Sequence, residues 1–141
     1  MIYDTSYNDK KITRAINVAV GKPFSLKERF KLKGIGSSRL VIDEVSEDIK
    51  AKLPTDQSVQ KASIELRPNG IIIHFKKFTE HFSWAIPYYK LVIYSSEHFS
   101  IYENDSFIKF SKKPLRKPQL KFIKKVLYQK AIATNNNNIP L

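Results

Sequence analysis

The chain predicts an α+β fold: a bent antiparallel sheet or partial barrel of about six to seven strands, closed by a C-terminal helix and preceded by one or two N-terminal helices. Three patterns predict it. From residue 60 to residue 110 apolar residues recur with a period of two, between residues 117 and 133 they recur with a period near 3.6, and a shorter helical period opens the chain. At 141 residues, 42% hydrophobic and 27% charged, the chain has the size and composition of one globular domain. That domain is expected over 1–133, with 1–59 mainly helical, sheet and helix over 60–133, and a disordered tail over 134–141.

Ile12, Ala15, Ile16, Ala19 and Val20 fall at helical spacing, and Gly21 and Pro23 are placed to stop the run. "PFSLKERFKL" allows two readings. Phe24, Leu26, Phe30 and Leu32 share the parity of a strand, while Ser25 and Glu28 have the spacing of a helix capping box. The strand is the expectation taken here, and "KGIGSS" follows as a loop. "SRLVIDEVSEDIKAKLP" is expected as a helix, with Ser38 at its N-cap, Ile42, Val45, Ile49 and Leu53 as its apolar stripe, and Pro54 at its end.

Beyond residue 60, Ile64 and Leu66 alternate with polar neighbours, and "RPNG" offers a turn in which Asn69-Gly70 can take positive φ. Ile71, Ile73 and Phe75 continue the inward face. Phe82, Trp84 and Ile86 follow, then Leu91 and Ile93, Phe99 and Ile101, and Phe107, Ile108 and Phe110 after the turn "ENDS". About six short strands in fifty residues predict a meander. The last helix is expected over 117–133, with Leu120, Ile123, Leu127 and Ala131 on its buried face and Pro118 in its first turn.

The order "SIELRPNGIIIHF", then "HFSWAIPYYKLVIYSSEHFSIYENDSFIKF", then an amphipathic helix resembles a pleckstrin-homology-like domain of the bacterial type over residues 60–133. "WAIPYYKLVIY" is similar to the apolar-Pro-aromatic step of those domains. The resemblance implies a bent antiparallel sheet closed at one end by the C-terminal helix. Two features depart from the family. Trp84 lies in a strand, whereas the familiar eukaryotic members carry a tryptophan in the closing helix. Members that bind phosphoinositides surround the first hairpin loop with basic residues, and "RPNG" offers only Arg67. The resemblance therefore implies the fold and not headgroup recognition.

Absence of cysteine excludes disulfides, thiolate metal sites and cysteine nucleophiles. No stretch has the length of an apolar membrane span, and the opening "MIYDTSYNDKK" lacks the pattern of a secretory signal, so a cytoplasmic protein, peripheral to the membrane at most, is expected. His74, His81 and His98 have no metal-ligand spacing, and the acids Asp43, Glu44, Glu47 and Asp48 are read as solvated helix surface. No nucleophile-elbow, P-loop or dinucleotide motif occurs. The expectation is a non-catalytic module with no cofactor and no metal. An enzyme whose polar strand residues form no known motif stays as the more distant alternative.

Charge is the strongest functional signal. Net charge is +12, and residues 109–130 hold nine lysines and arginines with no carboxylate. Like charges at helical spacing repel by a few tenths of a kcal/mol each, so a solvated face normally interleaves both signs. Lys112, Lys113, Arg116, Lys117, Lys121, Lys124 and Lys125 are therefore the candidate binding residues, for an acidic protein surface or anionic lipid headgroups. Nucleic acid is the alternative partner. Pairing with the acidic 43–48 segment, within the chain or across a homodimer, would instead make the run a structural seam. Among aromatics that could stack on a base, Trp84 is assigned to the core, and Tyr88 and Tyr89 are the candidates for exposure.

Overall fold

The computed structural model describes residues 1–56, 58–95, 98–111 and 113–137. Its elements are β1 (Ile2–Asp4), α1 (Lys10–Val20), α2 (Leu26–Lys31), β2 (Leu40–Val45), α3 (Glu47–Lys50), β3 (Lys61–Arg67), β4 (Gly70–Lys77), β5 (Glu80–Pro87), β6 (Val92–Ser95), β7 (Phe99–Glu103), β8 (Ser106–Phe110) and α4 (Lys117–Asn137). The fold is α+β, with one eight-stranded antiparallel sheet in the order β1-β5-β4-β3-β2-β8-β7-β6 and a C-terminal helix. The six strands expected from residue 60 onward are all present. β1 and β2 bring the count above the expected six to seven.

Two antiparallel meanders, β3-β4-β5 and β6-β7-β8, are joined through β2. Its first residues pair with β3, Leu40 opposite Ala62 and Val41 opposite Lys61. Its later residues pair with β8, Ile42 opposite Phe110, Glu44 opposite Lys109 and Val45 opposite Ile108, with a shift of register between Ile42 and Glu44. Such a bulge bends a strand and adds to its twist, which suits a strand that passes from one meander to the other.

The bulge also explains why residues 38–54 are not the expected helix. In regular strand geometry Leu40 and Ile42 face inward. The extra residue moves the next inward position to Val45, and so produces the i, i+3 spacing of a helix face. Ile49 and Leu53 do reach the core, from the single turn of α3 and the segment after it. Ser46, not Ser38, precedes that turn; its hydroxyl accepts from Phe107 N at 3.0 Å and donates to Asp48.

α2 corrects the strand expected over "PFSLKERFKL". Ser25 Oγ accepts from Glu28 N at 3.3 Å and Glu28 Oε1 accepts from Ser25 N at 3.2 Å, a complete capping box. Phe24 is buried, but α2 itself buries no residue. The shared parity of Leu26 and Phe30 therefore marks an exposed helix face and no inward strand face. β1, too short to show a period, pairs with β5, Ile2 opposite Trp84.

α1 forms where its spacing predicts. Asp9 Oδ1 caps it by accepting from Lys11 N at 2.8 Å, and Gly21 ends it at φ 88. Ile16 and Val20 pack on Ile72 and Ala85 on the outer face of the sheet. The main core lies on the other face, where Ile64, Leu66, Ile71, Ile73, Trp84, Ile86, Ile101 and Ile108 are fully covered. Trp84 Nε1 donates to the buried Glu103 carboxylate at 2.9 Å, so its one polar atom is satisfied.

The "RPNG" turn is present without the expected positive φ at Asn69 or Gly70. Gly70 is required by space: a Cβ there would stand 2.3 Å from the Ile86 carbonyl oxygen and 2.7 Å from Val20 Cγ1. Among non-glycine residues, left-handed backbone occurs instead at Lys33 (φ 59), after α2, at Asn104 (φ 54), in the "ENDS" turn, and at Phe78 (φ 56), between β4 and β5. Asparagine tolerates that region; a bulky aromatic does so at a cost of about 1–2 kcal/mol. Phe78 is exposed and contributes no core packing in return. Phe78→Gly is therefore expected to raise stability by about 1 kcal/mol, read as a higher urea midpoint at unchanged m-value.

Candidate functional site

The position of the basic residues follows from how α4 is buried. Phe122, Ile123 and Val126 enter the core, with Leu115 and Ala133 packing at its edge. This inward stripe differs from the expected one. Ile123 belongs to both, but Leu120 and Leu127 are each 45% exposed and Ala131 is exposed. The rotation has a physical reason: Phe122 and Val126 complete the stripe at i, i+4 and seat the larger ring against the sheet. The helix runs to Asn137, past the expected end at Ala133.

Lys117, Lys121 and Lys124, at i, i+4 and i+7, share the face opposite that stripe, and all three are exposed. Along the axis they span roughly 10 Å. Lys113 and Arg116, just before the helix, are exposed as well. The backbone N–H of Arg116 donates to Gln119 Oε1 at 2.8 Å, which helps to define the helix start. Lys112 lies outside the described residues.

Lys125 departs from the set. Its ammonium turns back and donates to the Gly34 carbonyl at 3.0 Å and the Lys33 carbonyl at 3.4 Å, while lying 5.7 Å from the Phe122 ring centre. Partial burial, and then the charge of Lys33, hold it below the usual lysine pKa. Lys125 thus ties α4 to the loop behind α2, and Gln119 Nε2, 3.4 Å from Ser38 Oγ, reaches the same loop further on.

No carboxylate neutralises that face among the described residues. The acidic 43–48 segment pairs elsewhere: Asp43 with His98 at 3.6 Å, Glu44 with Lys109 at 3.3 Å, and Asp48 with the hydroxyls of Ser46 and Ser106. Of the acid-free run, Lys109 alone has an ion-pair partner among the described residues, and it is not one of the candidate residues.

The two tyrosines separate. Tyr89 is 77% exposed, as expected, whereas Tyr88 is 2% exposed and donates its hydroxyl to the Arg67 carbonyl at 3.0 Å. Burial pushes its phenol far above the usual value. Tyr88 is thus a core residue and corrects the expectation of exposure. Its side chain turns inward because the turn after Pro87 is held by Tyr88 N, which donates to Asn69 O at 2.9 Å.

A second polar cluster, invisible in the sequence, lies under α1 on the outer face of the sheet. Ser83 Oγ lies 3.0 Å from His74 Nδ1, and His74 Nε2 lies 2.9 Å from Glu65 Oε1. Glu65 Oε2 accepts from Arg67 Nε at 2.5 Å, and Arg67 Nη1 donates to Asn17 Oδ1 at 3.0 Å and to the Gly21 carbonyl at 2.8 Å. Adjacent strands assemble it, since His74 stands opposite both Ser63 and Ser83. Strand alternation shows that such residues face the same way, but not which strands are neighbours.

Serine, histidine and carboxylate in a row have the composition of a nucleophilic triad. Ser83 and His74 line a cleft, but Ser83 is 2% exposed and its hydroxyl is already engaged by both His74 Nδ1 and Thr5 Oγ1, each at 3.0 Å. The row orients His74 and fixes Arg67, which in turn holds the C-terminal end of α1 through the Gly21 carbonyl and the Asn17 side chain. A cleft of about 700 Å³ opens beside it, with Ile72 and Phe82 in its floor and Arg39, Lys61 and Lys76 around its rim. Arg67 is thereby committed to the fold, and the hairpin loop offers no other cation.

Burial alone would raise the Glu65 carboxyl; the hydrogen bonds from His74 and Arg67, with their charges, outweigh it and bring the group down to about 2. With a folded-state value below the ordinary 4.5, its contribution to stability is full above that pH and is lost as pH falls from about 4.5 towards 2. After allowance for solvent screening this amounts to on the order of 2 kcal/mol. Glu65→Gln is expected to lower stability at pH 7 by about that amount, and to flatten the acid limb of stability against pH in urea titrations repeated from pH 2 to 7.

Comparison of the chain with protein-family models, with curated proteins and with solved structures finds no match.

Proposed function

We propose that the chain is a non-catalytic binding module with a pleckstrin-homology-like fold, which engages an anionic partner surface through the outward face of α4. The strand order supports the fold reading. Without the edge strand β1, the sheet reads β5-β4-β3-β2-β8-β7-β6, two antiparallel meanders meeting at β2 and β8, with a helix after the last strand. That strand order supports the reading of a bent, partly open barrel closed by its C-terminal helix.

A single observation carries the functional reading: Lys117, Lys121 and Lys124 converge on one exposed helix face with no carboxylate among the described residues to neutralise them. Three ammonium groups within roughly two helical turns repel each other. An external anion relieves that repulsion and gains about 1 kcal/mol per basic residue at an anionic surface. The partner is thus an anionic surface, whether of lipid headgroups or an acidic protein.

Nucleic acid would need more than phosphate contacts. Its best support is the aromatic strip on β6, β7 and β8, where Tyr94, Tyr102 and Phe107 adjoin, with ring centres 5.3 and 5.2 Å apart. These rings already contact each other, and Lys109 over Phe107 is paired with Glu44. The strip is less suited to base stacking than isolated rings would be.

Lys117→Glu/Lys121→Glu/Lys124→Glu is expected to reduce binding to an anionic surface at least about hundredfold at physiological salt, with an unchanged melting temperature because all three side chains are exposed. Surface plasmon resonance on a carboxylated matrix, with stepped salt, measures both terms. Equal retention of parent and variant would remove the proposal.

A further inference from the structure

α2 is a short helix that hides nothing. Leu26 and Phe30, at i and i+4, are 81% and 87% exposed and stand on one face of it. Exposed single apolar residues are ordinary on protein surfaces, but a paired leucine and phenylalanine on a helix without any buried residue is a concentrated apolar projection. Lys27, Arg29, Lys31 and Lys33 surround it, and Glu28 is occupied by the capping box. The Lys125 hydrogen bonds to the carbonyls of residues 33 and 34 tie the loop that follows α2 to α4. On α4 itself Leu120, Leu127 and Tyr128 are exposed next to the three outward lysines.

We propose that α2 is a membrane wedge: Leu26 and Phe30 insert among the acyl chains of an anionic bilayer while the lysines of α2 and α4 lie at its headgroups. This rests on the proposed role of the α4 face and names its partner. Three features favour a bilayer over an acidic protein. The cations are almost all lysine, whereas protein interfaces are depleted in lysine and enriched in arginine. Leu26 and Phe30 project outward, which suits a fluid apolar layer and would require a matching pocket in a protein. Tyr128, polar at its tip and apolar in its ring, follows Lys124 by one turn on the same exposed face and is of the residue type that gathers at membrane interfaces. Apolar insertion together with basic residues is the pair of signals that makes peripheral binding stable.

The test is flotation of the full chain with vesicles of phosphatidylcholine alone and with 30% phosphatidylserine, comparing the parent with Leu26→Ala/Phe30→Ala and with the triple lysine variant. Melting temperatures report folding, which these exposed substitutions leave intact. The parent is expected to float only with the anionic vesicles, and the alanine variant to partition at least about tenfold less. Phe30→Trp is expected to shift its emission to the blue on binding and to be quenched by acyl-chain bromines. If the alanine variant floats like the parent while the triple variant does not, the wedge is refuted and the proposed role of the α4 face stands. If the parent ignores anionic vesicles but binds the carboxylated matrix, the bilayer is refuted as partner, and an acidic protein takes its place.

Discussion

Burial of Phe122, Ile123 and Val126 against the sheet decides the direction of every other side chain on the last helix. Those three fix the rotation of α4, and the rotation turns Lys117, Lys121 and Lys124 away from the protein. A rotation by one residue, about 100°, would bring lysines towards the core, where an unpaired ammonium costs several kcal/mol. Apolar packing on one face and cation repulsion on the other thus demand the same orientation.

The acids of the chain make this arrangement one-sided. Glu65 serves Arg67 and His74, Glu103 serves Trp84 and the N-terminal amine, and Asp43 and Glu44 serve His98 and Lys109. Each holds a joint of the fold: α1 to the sheet, β5 to β7, β2 to β8, or β2 to the residue that precedes β7. Carboxylates spent on architecture are not available to screen α4. The positive field of that helix follows from where the acids are needed as much as from the lysines themselves.

Much of the fold was legible wherever one period ran uninterrupted. β3 to β8 and α1 follow from plain alternation and plain helical spacing. The chain misleads where two rules overlap. At Ile42 and Val45 a bulge imitates the spacing of a helix. At Leu26 and Phe30 two solvent-facing residues imitate a strand, although Ser25 and Glu28 record the local choice correctly. The direction of α4 was only partly legible, because Leu120 and Leu127 fit a helix stripe as well as Phe122 and Val126 do, and the sheet decides between them. The acid-free charge run was plain in the sequence. The inward turn of Lys125, the burial of Tyr88 and the row of Ser83, His74, Glu65 and Arg67 depend on residues far apart in the chain, which spacing alone does not bring together.

The central claim is that the outward lysines of α4, which no carboxylate neutralises among the described residues, take an external anionic surface. Amide and lysine-methylene chemical shifts, followed while the isotope-labelled chain is titrated with anionic bicelles, test this most directly. The account predicts shifts concentrated on α2 and on the outward face of α4, with the cleft beside α1 and the aromatic strip unchanged. Shifts concentrated in that cleft or on that strip, with Lys117, Lys121 and Lys124 unmoved, would contradict it.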